Sequence, residues 1–151
     1  MADPVQVQRV DADVTRPLRQ RVLRPHETLE QLVLPGDDDP DSAHFAVLEG
    51  DEVLATGSVR REPPPWPVDG PAWRLRGMAT AEDRRGGGLG GAVLAAAMAH
   101  VRDHGGGWLW CNARLPAVAF YRRAGLVTRG DPWEEPRIGP HIAMELLLGP
   151  S

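Results

Sequence analysis

Apolar positions along the chain switch between two periods, and the switches mark the elements. Val5, Val7 and Val10 punctuate a short polar stretch and predict a strand. Thr15 is placed to cap a helix with Pro17 at its second position. Leu18, Val22 and Leu23 form its stripe, and Arg24-Pro25 ends it. Residues 36–41, with four aspartates and Pro40, read as a loop. Phe45, Val47 and Leu48 predict a strand, residues 49–52 a hairpin turn, and residues 53–61 the returning strand. Residues 63–71 hold too many prolines for a central strand and carry Trp66 in a loop. Residues 73–80 predict another strand and residues 81–88 a connection. The strongest helical period lies in residues 89–104. Leu89, Val93, Ala97 and Val101 recur four apart, with Leu94 and Met98 beside them. Gly105, Gly106 and Gly107 stop that helix, and His100, Arg102 and His104 suit the negative end of its dipole. Residues 108–113 predict a strand, Pro116 opens a short helix that Gly125 closes, and residues 126–129 and 142–148 predict the last two strands.

From 73 to 113 the order is strand, glycine loop, helix, strand. That crossover implies two parallel neighbours joined with right-handed sense. The remaining strands follow one another closely, so the expected fold class is α/β with a mixed, mainly antiparallel sheet flanked by helices. A length of 151 residues suits a single domain over 1–151, and no internal repeat is visible.

Composition narrows the function. A net charge of −4 argues against a general nucleic-acid or membrane-surface partner. No apolar run approaches the length of a membrane span, and the N-terminus lacks a basic start followed by an apolar stretch. With one cysteine, Cys111, no intrachain disulfide can form, which suits a cytoplasmic location. All 17 basic residues are arginine. Without lysine there is no P-loop and no lysine Schiff base. The abundance of Arg, Ala, Gly and Pro looks like coding bias in a GC-rich genome.

The stretch Arg85-Gly86-Gly87-Gly88-Leu89-Gly90-Gly91 stands where the strand meets the helix. Glycine lets backbone N–H groups approach a ligand closely, and the helix start adds unpaired N–H groups and a positive dipole end. Together they suit a pyrophosphate. Gly86, Gly88 and Gly91 formally match the dinucleotide pattern G-x-G-x-x-G. Three features oppose that reading. Residues 80–85 separate the strand from the loop, no carboxylate lies near Asn112 where the ribose partner belongs, and two mononucleotide halves hardly fit in the chain.

The same loop, read as Arg85-x-x-Gly88-x-Gly90, resembles the R/Q-x-x-G-x-G/A signature of the GNAT superfamily of N-acetyltransferases. Ala117-x-x-Phe120-Tyr121-x-x-x-Gly125-Leu126 is similar to a second segment of that superfamily. Gly139-Pro140-His141-Ile142-Ala143-Met144 is similar to the closing strand of one small bacterial branch. The resemblance covers about residues 73–129, with further support at 139–144. It implies a sheet whose central parallel pair splays apart and an acetyl group carried from acetyl-CoA to a small-molecule or peptide amine by direct transfer. Met78, Ala79 and Thr80 would hold the pantetheine arm and acyl carbonyl. Arg85, Gly86, Gly87, Gly88, Leu89, Gly90 and Gly91 would cradle the pyrophosphate. Tyr121 would protonate the leaving thiolate. The superfamily often places an asparagine where this chain has Arg114. Asn112 is the nearby substitute, and Arg114 itself is a candidate for a phosphate. A homodimer is compatible with the resemblance.

An alkyl amine with a pKa near ~10.4 needs a base, since neutralising it at pH 7 costs roughly 4–5 kcal/mol. Residues 73–80 hold no carboxylate, leaving Glu62, Glu134, Glu135 and His141, with Glu135 and His141 foremost. Cys111 reads as a small core residue rather than a nucleophile. His100 and His104 read as a solvated pair rather than metal ligands. Residues 37–41 read as a solvated acidic loop, and Trp66 as either a packing residue or part of an acceptor wall. Two other functions stand beside acetyl transfer: a nicotinamide-dependent oxidoreductase using the glycine loop, and a non-catalytic acyl-CoA-binding module.

Overall fold

Alternating apolar residues in 43–61 fold back on themselves at the predicted turn, giving β2 (Ala43–Glu49) and β3 (Glu52–Arg61) as an antiparallel hairpin. A computed structural model describes residues 6–151 of the chain; Val5, part of the first predicted strand, lies outside them. Before the hairpin come β1 (Val7–Val10) and α1 (Ala12–Leu23). After it come β4 (Ala72–Thr80), α2 (Leu89–Asp103), β5 (Gly107–Arg114), α3 (Val118–Arg123), β6 (Val127–Glu135) and β7 (Gly139–Leu148). The sheet runs β1-β2-β3-β4-β5-β7-β6 and is antiparallel except at β4–β5.

Helix α2 covers one face. Val93, Leu94, Ala97 and Val101 pack with Phe45, Val59, Trp73, Leu75 and Leu109 in the main core. Burying each Val or Leu contributes about 1.5–3 kcal/mol, so the four-apart stripe is what fixes α2 on the sheet. Helix α1 covers the other face through a smaller cluster of Leu18, Ala79 and Ala81.

Three local expectations change. Thr15 is not a cap: α1 starts at Ala12 with Asp11 before it, and the buried Thr15 hydroxyl donates to the Ala12 carbonyl at 2.7 Å. Pro17 therefore sits inside the helix rather than at its start. Strand β6 extends to Glu135 because a register shift between Arg129 and Trp133 absorbs Gly130-Asp131-Pro132, which look like breakers in sequence. The His100–His104 pair is divided: His100 is buried whereas His104 stays exposed, and both stand edge-on to Trp73, at 5.5 and 5.7 Å. His100 Nε2 donates to the Asp41 carbonyl and His104 Nδ1 to the His100 carbonyl. Burial, the largest cause, lowers the His100 pKa.

Candidate active site

Strands β4 and β5 pair only at Ala72–Trp108, Trp73–Leu109 and Arg74–Trp110. Beyond that point β4 stays with β3 as far as Thr80, and β5 follows β7 as far as the pair Arg114–His141. The parting opens a cleft of about 880 Å³. It also leaves one side of the β4 backbone without a ladder partner over residues 76–80, the stretch facing the gap.

A bulge sets which side chains meet that gap. Ser58 pairs with Arg76 but Thr56 with Ala79, so Gly77 and Met78 together oppose Gly57. Gly77 takes φ +64°, and its carbonyl accepts from the buried Thr56 hydroxyl at 2.9 Å. The extra residue reverses the alternation. Met78 and Thr80 turn to the α2 face, where a Cβ at Gly57 would touch Met78 and one at Gly90 would touch Thr80.

At one end of the cleft stands the α2 N-terminus. Gly88 precedes the helix at φ +82°, with no side-chain cap. The first intrahelical bond is Ala92 N–H to the Gly88 carbonyl, so the N–H groups of Leu89, Gly90 and Gly91 have no backbone partner among the described residues. Arg85 is exposed beside them. Arg84 instead grips Glu49 through two bonds of 2.8 and 3.2 Å, tying the loop to the β2–β3 turn.

The other end is built of side chains. Tyr121 is 7% exposed and lines the cleft. Burial, first, and the neighbouring Cys111 push its pKa well above the usual phenol value, with Arg114 opposing. Burial pushes the Cys111 thiol up to about 12, so it is an inert core residue at neutral pH. His141 lies opposite Arg114 in the ladder and stacks on Trp133 with ring centroids 5.8 Å apart. Its Nδ1 is 2.9 Å from the Gly139 carbonyl, which can only accept. Nδ1 therefore donates, and whenever the ring carries a single proton Nε2 keeps its lone pair. Glu135 also lines the cleft, accepting from the Trp133 indole at 3.1 Å.

A glycine-rich helix start at one end of a cleft between two parted parallel strands is the arrangement against which the comparisons with known proteins are set. Residues 10–126 match the model described as the acetyltransferase (GNAT) family. The chain belongs to the GNAT family of acetyltransferases. It is 31% identical over 147 residues to YitI of Bacillus subtilis strain 168, an uncharacterized N-acetyltransferase, covering 97% of this chain and 99% of that one. Among solved structures, the ribosomal-protein-S18-alanine N-acetyltransferase of Escherichia coli superposes with TM-score 0.73 at 16% identity, covering 98% and 96% of the two chains. A GNAT phosphinothricin acetyltransferase of Sinorhizobium meliloti, solved with acetyl-CoA, superposes with TM-score 0.73 at 13% identity, covering 96% and 89%. These two are likenesses of fold. As a GNAT enzyme, this chain is an acyltransferase that takes its acyl group from acetyl-CoA, and its one parallel pair is not the doubly wound sheet of a dinucleotide enzyme.

Of the residues singled out from sequence, Met78, Ala79, Thr80, Arg85, Gly90, Asn112, Arg114, Tyr121, Glu135 and His141 all line the GNAT cleft. Gly86, Gly87, Gly88, Gly91 and the Leu89 side chain do not; Leu89 is buried in the main core, leaving only its N–H to offer. Arg114 donates to the Leu23 carbonyl at the end of α1, so it bridges the cleft instead of standing free for a phosphate. Glu62 is engaged by Arg74 at 2.9 Å and Arg60 at 3.5 Å, away from the cleft. Glu134 is exposed and alternates to the face opposite Glu135. Trp66 packs edge-on to Trp110 and donates to Glu145, outside the cleft lining. Asp37 is taken by Arg16 at 3.1 Å and the Leu34 N–H at 2.9 Å. Sequence reasoning missed Arg19 and Arg76, which line the cleft. The only signal for Arg19 was its place on the apolar side of a helix, next to Leu18.

Proposed function

We propose that the chain, acting as one domain over 1–151, acetylates an amine by direct transfer while acetyl-CoA and acceptor are bound together. The observation that carries this reading is the cleft itself, with three unpaired N–H groups at one end and a free imidazole nitrogen and a free phenol at the other. A diphosphate fits the α2 terminus because Gly90 and Gly91 put no side chain between it and the amides, and Arg85 adds charge. The unpaired edge of β4 over Met78, Ala79 and Thr80 offers backbone bonds to the pantetheine arm. Asn112 is exposed in the same gap and stands ready for that arm. The thioester supplies an activated acetyl group.

His141 Nε2 takes the proton of the attacking amine, directly or through a water held with Glu135. A C–N bond forms at the acetyl carbonyl, the C–S bond breaks, and the electron pair leaves on sulfur. Tyr121 donates a hydrogen bond to that sulfur. Complete proton transfer from Tyr121 is uphill: a phenol starts near ~10 and burial raises it, whereas a thiol is near ~8.5. The thiolate's proton then comes from the imidazolium or water. A cytoplasmic location fits the free Cys111. Among the described residues no helix is long and apolar enough to cross a membrane. A homodimer would use the exposed Val127 and Leu147 beside the β6 edge.

Calorimetric titration with acetyl-CoA, and with NADH in parallel, tests the assignment. Micromolar acetyl-CoA binding and turnover with an amine panel are expected. A folded protein that binds NADH and ignores acetyl-CoA refutes it, and binding with no turnover on any amine leaves an acyl-CoA-binding module.

A further inference from the structure

Two guanidinium groups face the cleft without a carboxylate of their own. Arg19 of α1 is 6% exposed, and it donates a long hydrogen bond of 3.4 Å to the Thr15 hydroxyl. It lies across the β4 bulge: a Cβ at Gly77 would stand 2.9 Å from Arg19 Nε. Arg76, the residue just before the bulge, lines the same space and makes no ion pair among the described residues. Both also border a void of about 10 Å³, roughly one water in size, that opens off the cleft.

The surrounding acids are already engaged. Asp37 serves Arg16 and the Leu34 N–H, Glu27 is paired with Arg24, and Glu62 holds Arg74 and Arg60. Burial, the largest cause, pulls Arg76 down to about 10, and Arg74, Arg60 and Arg19 push the same way against Glu62 alone. Arg19 is likewise lowered, first by burial, with Asp37 and Glu27 opposing from their own ion pairs. A desolvated guanidinium with no partner is a standing electrostatic cost, and a bidentate oxyanion is the ligand that removes it.

We propose that the acceptor amine carries an oxyanion, a carboxylate or a phosphate, on the same molecule, and that Arg19 and Arg76 hold it beside the Gly77 bulge. The proposal rests on the acetyltransferase reading and names its substrate class. The same positive field favours the neutral form of the attacking amine, which is the reactive one. It repels polyamines and other acceptors with several positive charges, so the acidic residues 37–41 are not a lure for a cationic substrate.

The test needs no known substrate. With coenzyme A bound, the protein is titrated with two matched pairs standing for acetylated product: N-acetylglycine against N-acetylglycinamide, and N-acetylethanolamine phosphate against N-acetylethanolamine. The anionic member of at least one pair binds about tenfold tighter or better, and which pair responds separates carboxylate from phosphate. Arg76→Gln brings that ratio close to one while the acetyl-CoA Kd stays at the wild-type value. Arg19→Gln does the same if its melting temperature shows it folded; Arg76→Gln decides if not. Equal or weaker binding of both anions, with acetyl-CoA binding intact, overturns the proposal. Loss of acetyl-CoA binding by the wild-type protein would instead sink the acetyltransferase reading itself.

Discussion

The two ends of the cleft are built from different materials. At the α2 end the ligands are backbone: three N–H groups released by helix geometry, with glycine keeping side chains out of the way. At the other end they are side chains drawn from α1, β4, α3, β6 and β7. A backbone site is written in a few consecutive residues, because the turn and the helix start are local. A side-chain site is written in topology. It exists only because β5 leaves β4 for β7 and because one extra residue in β4 reverses the alternation. On the proposed reading, the same division separates the end that holds acetyl-CoA from the end that meets the acceptor.

The largest effect should come from spoiling the backbone end. In Gly90→Glu the new Cβ meets Thr80 and Phe120 at 3.4 and 3.5 Å, ordinary contact, so the fold survives. Its carboxylate stands at the amides meant for phosphate, and the acetyl-CoA Kd should rise roughly hundredfold or more. Gly90→Ala, with the same Cβ and no charge, should bind nearly as wild type. Equal loss in both variants would mean that packing, not the anion site, governs Gly90.

At the side-chain end the expected effects fall on kcat. His141→Phe keeps a ring to stack on Trp133 and removes Nε2, so kcat should fall by about a hundredfold or more with the acetyl-CoA Kd unchanged. An unchanged kcat there, with collapse in Glu135→Gln, would move the base to Glu135. Tyr121→Phe should be milder, about tenfold in kcat, because a hydrogen bond to sulfur is lost rather than a proton. A loss as large as that of His141→Phe would show that Tyr121 transfers its proton after all. Both are read from steady-state rates at saturating acetyl-CoA.

What could be read from sequence follows the same line. The α2 stripe, the glycine loop before it and the strand on either side are local patterns, and all three stand where the periods put them. Tyr121 and His141 came with segments that resemble a family, and both reach the cleft. Arg19 and Arg76 carried no such mark. One sits in a helix whose start was misplaced by four residues, since Thr15 and Pro17 imitate a cap while Thr15 is in fact bonded back to Ala12. The other precedes a bulge, and a bulge leaves no period to detect; Gly77 was its only trace. The sequence favours Glu135 over Glu134 without a geometric reason; the reason is that β6 runs through both and sends them to opposite faces.

The smallest effect probes the joint between the two ends. Thr56 is 1% exposed, and its hydroxyl is the side-chain bond to the Gly77 carbonyl. Thr56→Val keeps the shape and leaves that carbonyl without the hydroxyl, which costs about 1–3 kcal/mol if no water replaces it. The bulge is what turns Thr80 toward Gly90 and leaves room for Arg19 over Gly77. Loosening it should therefore raise KM for acetyl-CoA and for the acceptor together, each by a few-fold, alongside a lower melting temperature. Thr56→Ser, which keeps the hydroxyl, should restore both. If only the melting temperature moves, the bulge is a structural brace and the two ends are independent. If the two KM values move without it, β4 is the element through which acetyl-CoA and acceptor sense each other.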